Sequence, residues 1–420
     1  GLISVFCIIF FATLTKISLD LVIEMGSNYE DLGRRCYGTA GWSAVLLSKM
    51  FYAFGCLVAY VVVVKDNFGS ALGHLCGVHF DEIVVTLVLS TTVMLPLCLL
   101  RDMTPLSNLS LVSVASMGLI VVIVLYLYFD NPDDIRQDGG TFYENWLEVR
   151  PGLLSCLGTF VFSFVSQHTV HLAYESLKPE LKTLKVWKRV STCAIGLSTF
   201  VSLSVGIFVY MTFWDKTGSD LFDQYPALPI IDIAKLLLCI TMLLTFPFPF
   251  FTCRDMMIVA AIAMTKSRRE PTTEELPQDN DLEAPLLSQE VNDEEGMEAD
   301  EAEAGEVEEQ ETRSEDPGED QLPAWLLAER QLQLPQHIIV TVTLWAITTT
   351  LAIVAPNLGD VLNLVGCATG TVIAFILPAL FYFRLHGYSH TALLLLVVGG
   401  LVGLVGTVFS TQQLFADASG

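Results

Sequence analysis

Apolar runs of roughly 20 residues recur along the chain, each long enough to cross about 30 Å of hydrocarbon as a helix. They lie near 1–23, 42–64, 82–100, 107–128, 152–174, 190–213, 228–252, 336–355, 360–383 and 390–410. One such run is compatible with a buried core helix of a water-soluble domain. Ten of them, separated mostly by short polar loops, are not. The pattern predicts an all-α polytopic membrane protein, because a bilayer admits only elements that satisfy their own backbone hydrogen bonds.

Composition agrees and adds one exception. Of 420 residues, 52% are hydrophobic and 16% charged, and the mean hydropathy is +0.55. The formal charge of −24 is concentrated: residues 270–330 hold 23 of the 46 acidic side chains and two bases, Arg313 and Arg330, a balance of −21. The acidic pI therefore describes one insert, and the rest of the chain is close to neutral. Low hydrophobicity and like-charge repulsion predict disorder over about 265–335. That loop reads either as a solvated linker or as the docking site of a cytoplasmic partner. No nucleic-acid partner is expected. Most of the ten cysteines fall inside the apolar runs and no CxxC pair occurs, which points away from a disulfide framework or a redox site.

Loop charge sets the orientation, since Lys and Arg gather on the cytoplasmic side of short loops. Arg34, Arg35, Arg101, Lys178, Lys182, Lys185, Lys188, Arg189, Arg254, Lys266, Arg268, Arg269 and Arg384 fall in one set of alternate loops. Lys65, Arg136, Arg150 and Lys216 fall in the other. The first set is read as cytoplasmic, which puts Gly1 outside. The chain opens directly in an apolar run with no charged n-region, so a further span ahead of Gly1 is expected rather than a signal peptide.

Polar residues inside a span are costly and usually face the bundle interior or a watery path. The run at 152–174 carries Ser163, Ser166, Gln167, His168, Thr169 and, three residues after His168, His171. Two readings fit. The helix either unwinds there and lines a cavity with freed backbone groups, or continues and wets its histidines at the cytoplasmic interface. A metal held by the two histidines would need a third ligand that the sequence does not supply. In LCITMLLTFPFPFFT (238–252), Thr241 and Thr245 share one helix face ahead of Pro247 and Pro249. Their hydroxyls either ligate a small hard cation such as Na⁺ or simply bond their own i−4 carbonyls. In SKMFYAFG (48–55), Lys49 sits near the cytoplasmic end, from where it can snorkel, and Tyr52 and Gly55 read either as core packing or as residues facing the bundle interior. Gly366, Thr369, Gly370 and Thr371 suit close helix contact, and Pro378 predicts a kink.

Four stretches in order, GCLVAYVVVVKD (55–66), FVFSFVSQHTVHLAYESLKPE (160–180), LLTFPFPFFTCRD (243–255) and PNLGDVLNLVGCATGTVIAFILPALFYF (356–383), resemble the amino acid/auxin permease superfamily, in its sodium-coupled neutral amino acid transporter branch. The similarity runs from Gly1 to about Val408 outside the acidic insert. It implies a LeuT-like inverted-repeat scaffold with ten of eleven family spans in this chain. Residues 1–264 would then hold spans two to eight, 265–335 the acidic cytoplasmic loop, and 336–412 spans nine to eleven. It further implies that Ser163, Ser166, Gln167, His168, Thr169 and Tyr52 line the substrate site and that Thr245, with Thr241, holds the coupling ion. There is one departure. Many members carry Cys-His-Pro where this chain has Ser166-Gln167-His168, so the proline that would enforce a break is absent.

The function these readings imply is secondary active transport of a neutral amino acid, coupled to Na⁺ or H⁺ and without a cofactor, in the plasma membrane or a vacuolar or lysosomal membrane. The alternative is a membrane amino-acid sensor that signals through its acidic loop. An enzyme is not expected, since no span offers His168 and His171 the Asp or HExxH partner that intramembrane chemistry uses.

Overall fold

A computed structural model describes residues 1–26, 28–100, 107–130, 141–147, 151–218, 220–222, 224–226, 228–269, 333–355 and 357–419. Their regular elements are all helices, with no strand among the described residues. The helices are α1 (Leu2–Glu24), α2 (Tyr29–Cys76), α3 (Glu82–Cys98), α4 (Ser107–Asp130), α5 (Leu157–Phe162), α6 (Val170–Glu175) and α7 (Leu184–Phe213). There follow α8 (Pro229–Thr245), α9 (Pro247–Arg269), α10 (Leu334–Val354), α11 (Leu358–His386) and α12 (His390–Ser419).

Eight helical stretches among the described residues are long and apolar enough to cross a membrane. The two other expected runs take different forms. The run at 82–100 is the shorter apolar helix α3, which contains a π-helical turn at Ser90–Met94. The run at 152–174 is divided between α5 and α6. α9 continues through Lys266 to Arg269, beyond the expected boundary at 264. The acidic insert from 270 to 332, and Arg101, Arg136 and Arg150 of the orientation argument, lie outside the described residues.

α2 is the axis of the molecule. Of its apolar window 72% is buried, against 6% for α7, whose large apolar side chains such as Leu197 and Phe200 face outward. One face of α2, with Tyr52 and Cys56, joins a core built from α1, α5, α11 and α12. The adjoining face, with Ala53, Leu57 and Val61, packs on Met94 and Cys98 of α3, Leu243 of α8, Phe250 of α9 and Leu344 of α10. A third cluster joins Ile123 and Leu127 of α4 to Phe213 of α7 and Ile231 of α8.

α2 is not one straight rod. Its ladder is interrupted at Tyr37 and Gly38, and Gly38 has φ +60°, a conformation that L side chains rarely adopt. The chain folds back there, so that the Tyr29–Cys36 segment lies against the start of the long helix. Gly33 and Gly41 meet in that hairpin: a Cβ on Gly41 would sit 2.2 Å from the Gly33 carbonyl oxygen. Sequence pattern had placed a plain loop between 23 and 42. The difference follows from two glycines whose meaning is visible only in three dimensions.

Candidate functional site

Residues 163–169 are unwound between α5 and α6, so the broken form of this segment is the one observed. No proline enforces it. Local side chains compete for the backbone instead. The Ser163 hydroxyl donates to the Thr159 carbonyl at 2.8 Å, and the Thr169 hydroxyl donates to the Ser166 carbonyl at 3.2 Å. The Gln167 side-chain Oε1 accepts from the Ser166 N–H at 3.0 Å. Turn-like bonds, Phe164 N–H to the Val161 carbonyl at 3.1 Å and Thr169 N–H to the Ser166 carbonyl at 3.1 Å, replace the i−4 ladder.

The break is held from both sides. On α5, the Gly158 N–H donates to Asn363 Oδ1 of α11 at 2.7 Å, while Asn363 Nδ2 donates to Ser410 of α12 at 2.6 Å. A Cβ on Gly366 would meet the Gly158 carbonyl oxygen at 1.9 Å, so the two backbones touch and Gly366 serves the close contact expected of it. From α2, Tyr52 places its ring 5.2 Å from His168 and 5.5 Å from Phe162.

Of the expected pocket residues, Gln167 is fully buried, Tyr52 nearly so, Ser166 and His168 are half-buried, and Ser163 and Thr169 are exposed. Two buried polar atoms here, Gln167 Nε2 and His168 Nδ1, have no hydrogen-bond partner. A buried donor without a partner is uncommon and costs about 1–3 kcal/mol. A bound molecule with an acceptor would satisfy it. On α6, His171, Tyr174 and Glu175 line a cavity of about 310 Å³ with Gly26, Asn28 and Asp31.

Across α2, Thr241 and Thr245 both bond within their helix. Thr241 donates to the Leu237 carbonyl at 2.9 Å, and Thr245 to the Thr241 carbonyl at 2.7 Å. Those bonds use the hydroxyl protons and leave oxygen lone pairs to accept. Pro247 and Pro249 have no N–H to give the carbonyls of Leu243 and Thr245. Yet the chain does not unwind there, since only Phe246 separates α8 from α9 and it keeps helical dihedrals. α8 packs through Cys239 and Leu243 on the Ala53–Leu57–Val61 face of α2, whereas the break packs on the Tyr52 face.

α11 carries π-helical turns at Gly366–Gly370 and Val372–Ile376 just before Pro378. Pro378 cannot donate to the Ala374 carbonyl, and other helices take over: Ser18 of α1 donates to Ala374, and the Tyr29 hydroxyl donates to the Ile373 carbonyl at 2.6 Å. Lys49 departs from expectation. It does not snorkel but is buried, with Nζ 2.7 Å from Glu30 Oε1, because the turn at Gly38 brings Glu30 back over it. Sequence reading missed Asn363 and Glu30. Asn363 left a signal as an amide in an otherwise apolar stretch; Glu30 left none.

Among the described residues no group of three or more His, Cys, Asp or Glu is placed to hold a metal ion. The family described as "Transmembrane amino acid transporter protein" matches residues 1–415. The chain is 27% identical over 258 residues to the "Putative sodium-coupled neutral amino acid transporter 11" of Rattus norvegicus, covering 58% of this chain and 54% of that protein. It is 26% identical over 252 residues to the protein of the same name from Homo sapiens, covering 57% of this chain and 61% of that protein. It is 22% identical over 376 residues to "Vacuolar amino acid transporter 2" of Saccharomyces cerevisiae, covering 87% of this chain and 65% of that protein. The chain spans about half the length of the first of these curated relatives.

Proposed function

The chain belongs to the transmembrane amino acid transporter family, and from that premise we propose that it carries a neutral amino acid across the membrane by alternating access, coupled to a cation gradient. The observation that carries the reading is the unwound 163–169 segment with its fully buried Gln167 amide lacking a partner on one side. An unwound stretch in a membrane protein offers backbone N–H and C=O groups to a zwitterion. In this reading Gln167, Ser166 and His168 meet the polar end of the substrate, Tyr52 walls the site, and Ser163 and Thr169 flank the path. Thr241 and Thr245 supply oxygens for Na⁺, and the relatives named as sodium-coupled favour that ion over H⁺. α2, in contact with both regions, transmits occupancy from one to the other.

The test is reconstitution of the full-length protein in liposomes with labelled neutral amino acids. Accumulation above the external concentration under an inward Na⁺ gradient is the expected result. Accumulation driven equally by a proton gradient without Na⁺ would remove Thr241 and Thr245 from the ion site. Uptake that never exceeds equilibration under any gradient would sink coupled transport.

A further inference from the structure

Lys49 and Glu30 play no part in the site described above, yet they form a largely buried ion pair: Nζ to Oε1 is 2.7 Å, with side chains 9% and 21% exposed. The pair closes the hairpin made by the Gly38 turn. Its other members tie the same short segment to α11: the Tyr29 hydroxyl to the Ile373 carbonyl, the Tyr37 hydroxyl to the Leu380 carbonyl at 3.4 Å, and Cys36 Sγ to the Phe381 carbonyl at 3.9 Å. The segment also borders the cavity under the broken helix, through Asn28 and Asp31 facing His171 and Tyr174.

A clamp needed only for stability is better made of apolar groups, since desolvating two charges offsets much of their attraction. An ion pair kept at such a place suits a contact that is made and broken. We infer that the Glu30–Lys49 pair is a latch holding the Tyr29–Cys36 segment across the inner mouth of the broken helix, and that it opens when the transported molecule leaves on that side. This rests on the transport reading, in which the Arg34 end of α2 is cytoplasmic.

Cys36, 6% exposed at the end of the latched segment with its Sγ against the Phe381 carbonyl, is a native reporter. Full-length wild-type protein, Lys49→Met, Glu30→Gln and the charge swap Glu30→Lys with Lys49→Glu are placed in proteoliposomes. They are treated with a maleimide on the cytoplasmic face, and Cys36 modification is read by peptide mass spectrometry. Each single variant is expected to raise the Cys36 labelling rate at least about fivefold, as a shift toward the open population. The swap is expected to return it to the wild-type rate, with net amino acid accumulation following the same order. Unchanged labelling in both single variants overturns the latch. So does a swap that labels at least about fivefold faster than wild type, which also covers the case where a single variant does not reach the membrane. Wild-type protein that accumulates no amino acid refutes the transport reading by itself, whatever the labelling shows.

Discussion

Gln167 uses one end of its amide to hold the unwound backbone and leaves the other unsatisfied in a buried position. Replacing it with leucine removes a donor to substrate at little cost in volume. The expected loss is about 1–3 kcal/mol of binding, roughly a five- to 150-fold rise in KM for uptake, with the protein still reaching the membrane. A Gln167→Leu variant with unaltered KM would show that the amide faces away from substrate. Gly158 gives a stability prediction of opposite character. A Cβ there would lie 1.9 Å from the Asn363 carbonyl oxygen, whereas one on Gly118 would meet nothing within 4 Å. Gly158→Ala should destabilise the detergent-solubilised protein by about 1–3 kcal/mol through overpacking. Gly118→Ala should be neutral or gain about 0.5–1 kcal/mol, as glycine does poorly inside helices. Thermal unfolding of both variants decides it. These residues also show what a sequence conceals. Ser166, Gln167 and His168 announce themselves as polar groups in an apolar run, but the ion pair of Lys49 depends on Glu30, nineteen positions away, and no periodicity connects the two.

The helices themselves were legible because a 20-residue apolar run has few alternatives in a bilayer. What was not legible is how they depart from straightness. The break at 163–169 could be suspected from its polar residues, yet it forms without proline through side-chain bonds to its own backbone. In α8 and α9 the reverse holds: two prolines suggest a break, and the structure shows a near-continuous span because they occupy the first turn of α9, where a missing N–H matters little. The threonine face is accordingly still helical, and its hydroxyls reach the i−4 carbonyls. Thr245→Val deletes one candidate cation oxygen and one intrahelical bond while keeping shape. The Na⁺ concentration for half-maximal uptake should rise roughly tenfold, the equivalent of about 1.4 kcal/mol, with the order of preferred amino acids unchanged. An unchanged Na⁺ dependence would leave Thr245 as a helix residue only. Because α8 and the break pack on different faces of α2, a change in amino acid selectivity in the same variant would mean that the two regions are not separate.

At the scale of the whole molecule, the described helices form a nearly neutral apolar body, and the charge of the chain sits in the insert between α9 and α10. Those two helices are neighbours. Arg254 of α9 is fully buried, with Nη1 3.5 Å from His337 Nε2 and 3.4 Å from Thr341 Oγ1 of α10, and it donates to the Cys98 carbonyl at 3.0 Å. From Arg254, α9 rises through a further fifteen residues to Arg269, about 22 Å at 1.5 Å per residue, whereas His337 lies one turn from the start of α10. A connection of about 20 Å therefore suffices between the helix ends. Removing residues 275–325 leaves 270–274 and 326–333, which at roughly 3.3 Å per residue span that distance with slack. Cys98, His337 and Thr341, which hold Arg254, and the core residues around α2 are all kept in the shortened chain. The shortened full-length protein should thus keep its rate of amino acid uptake and its melting temperature in detergent, while losing most of the chain's net negative charge. If the insert docks a cytoplasmic partner, capture of that partner or delivery to its membrane fails while uptake in liposomes persists. Loss of uptake in purified, correctly folded shortened protein would instead make the acidic segment part of the transport cycle, acting on the same end of the molecule that the Glu30–Lys49 pair holds closed.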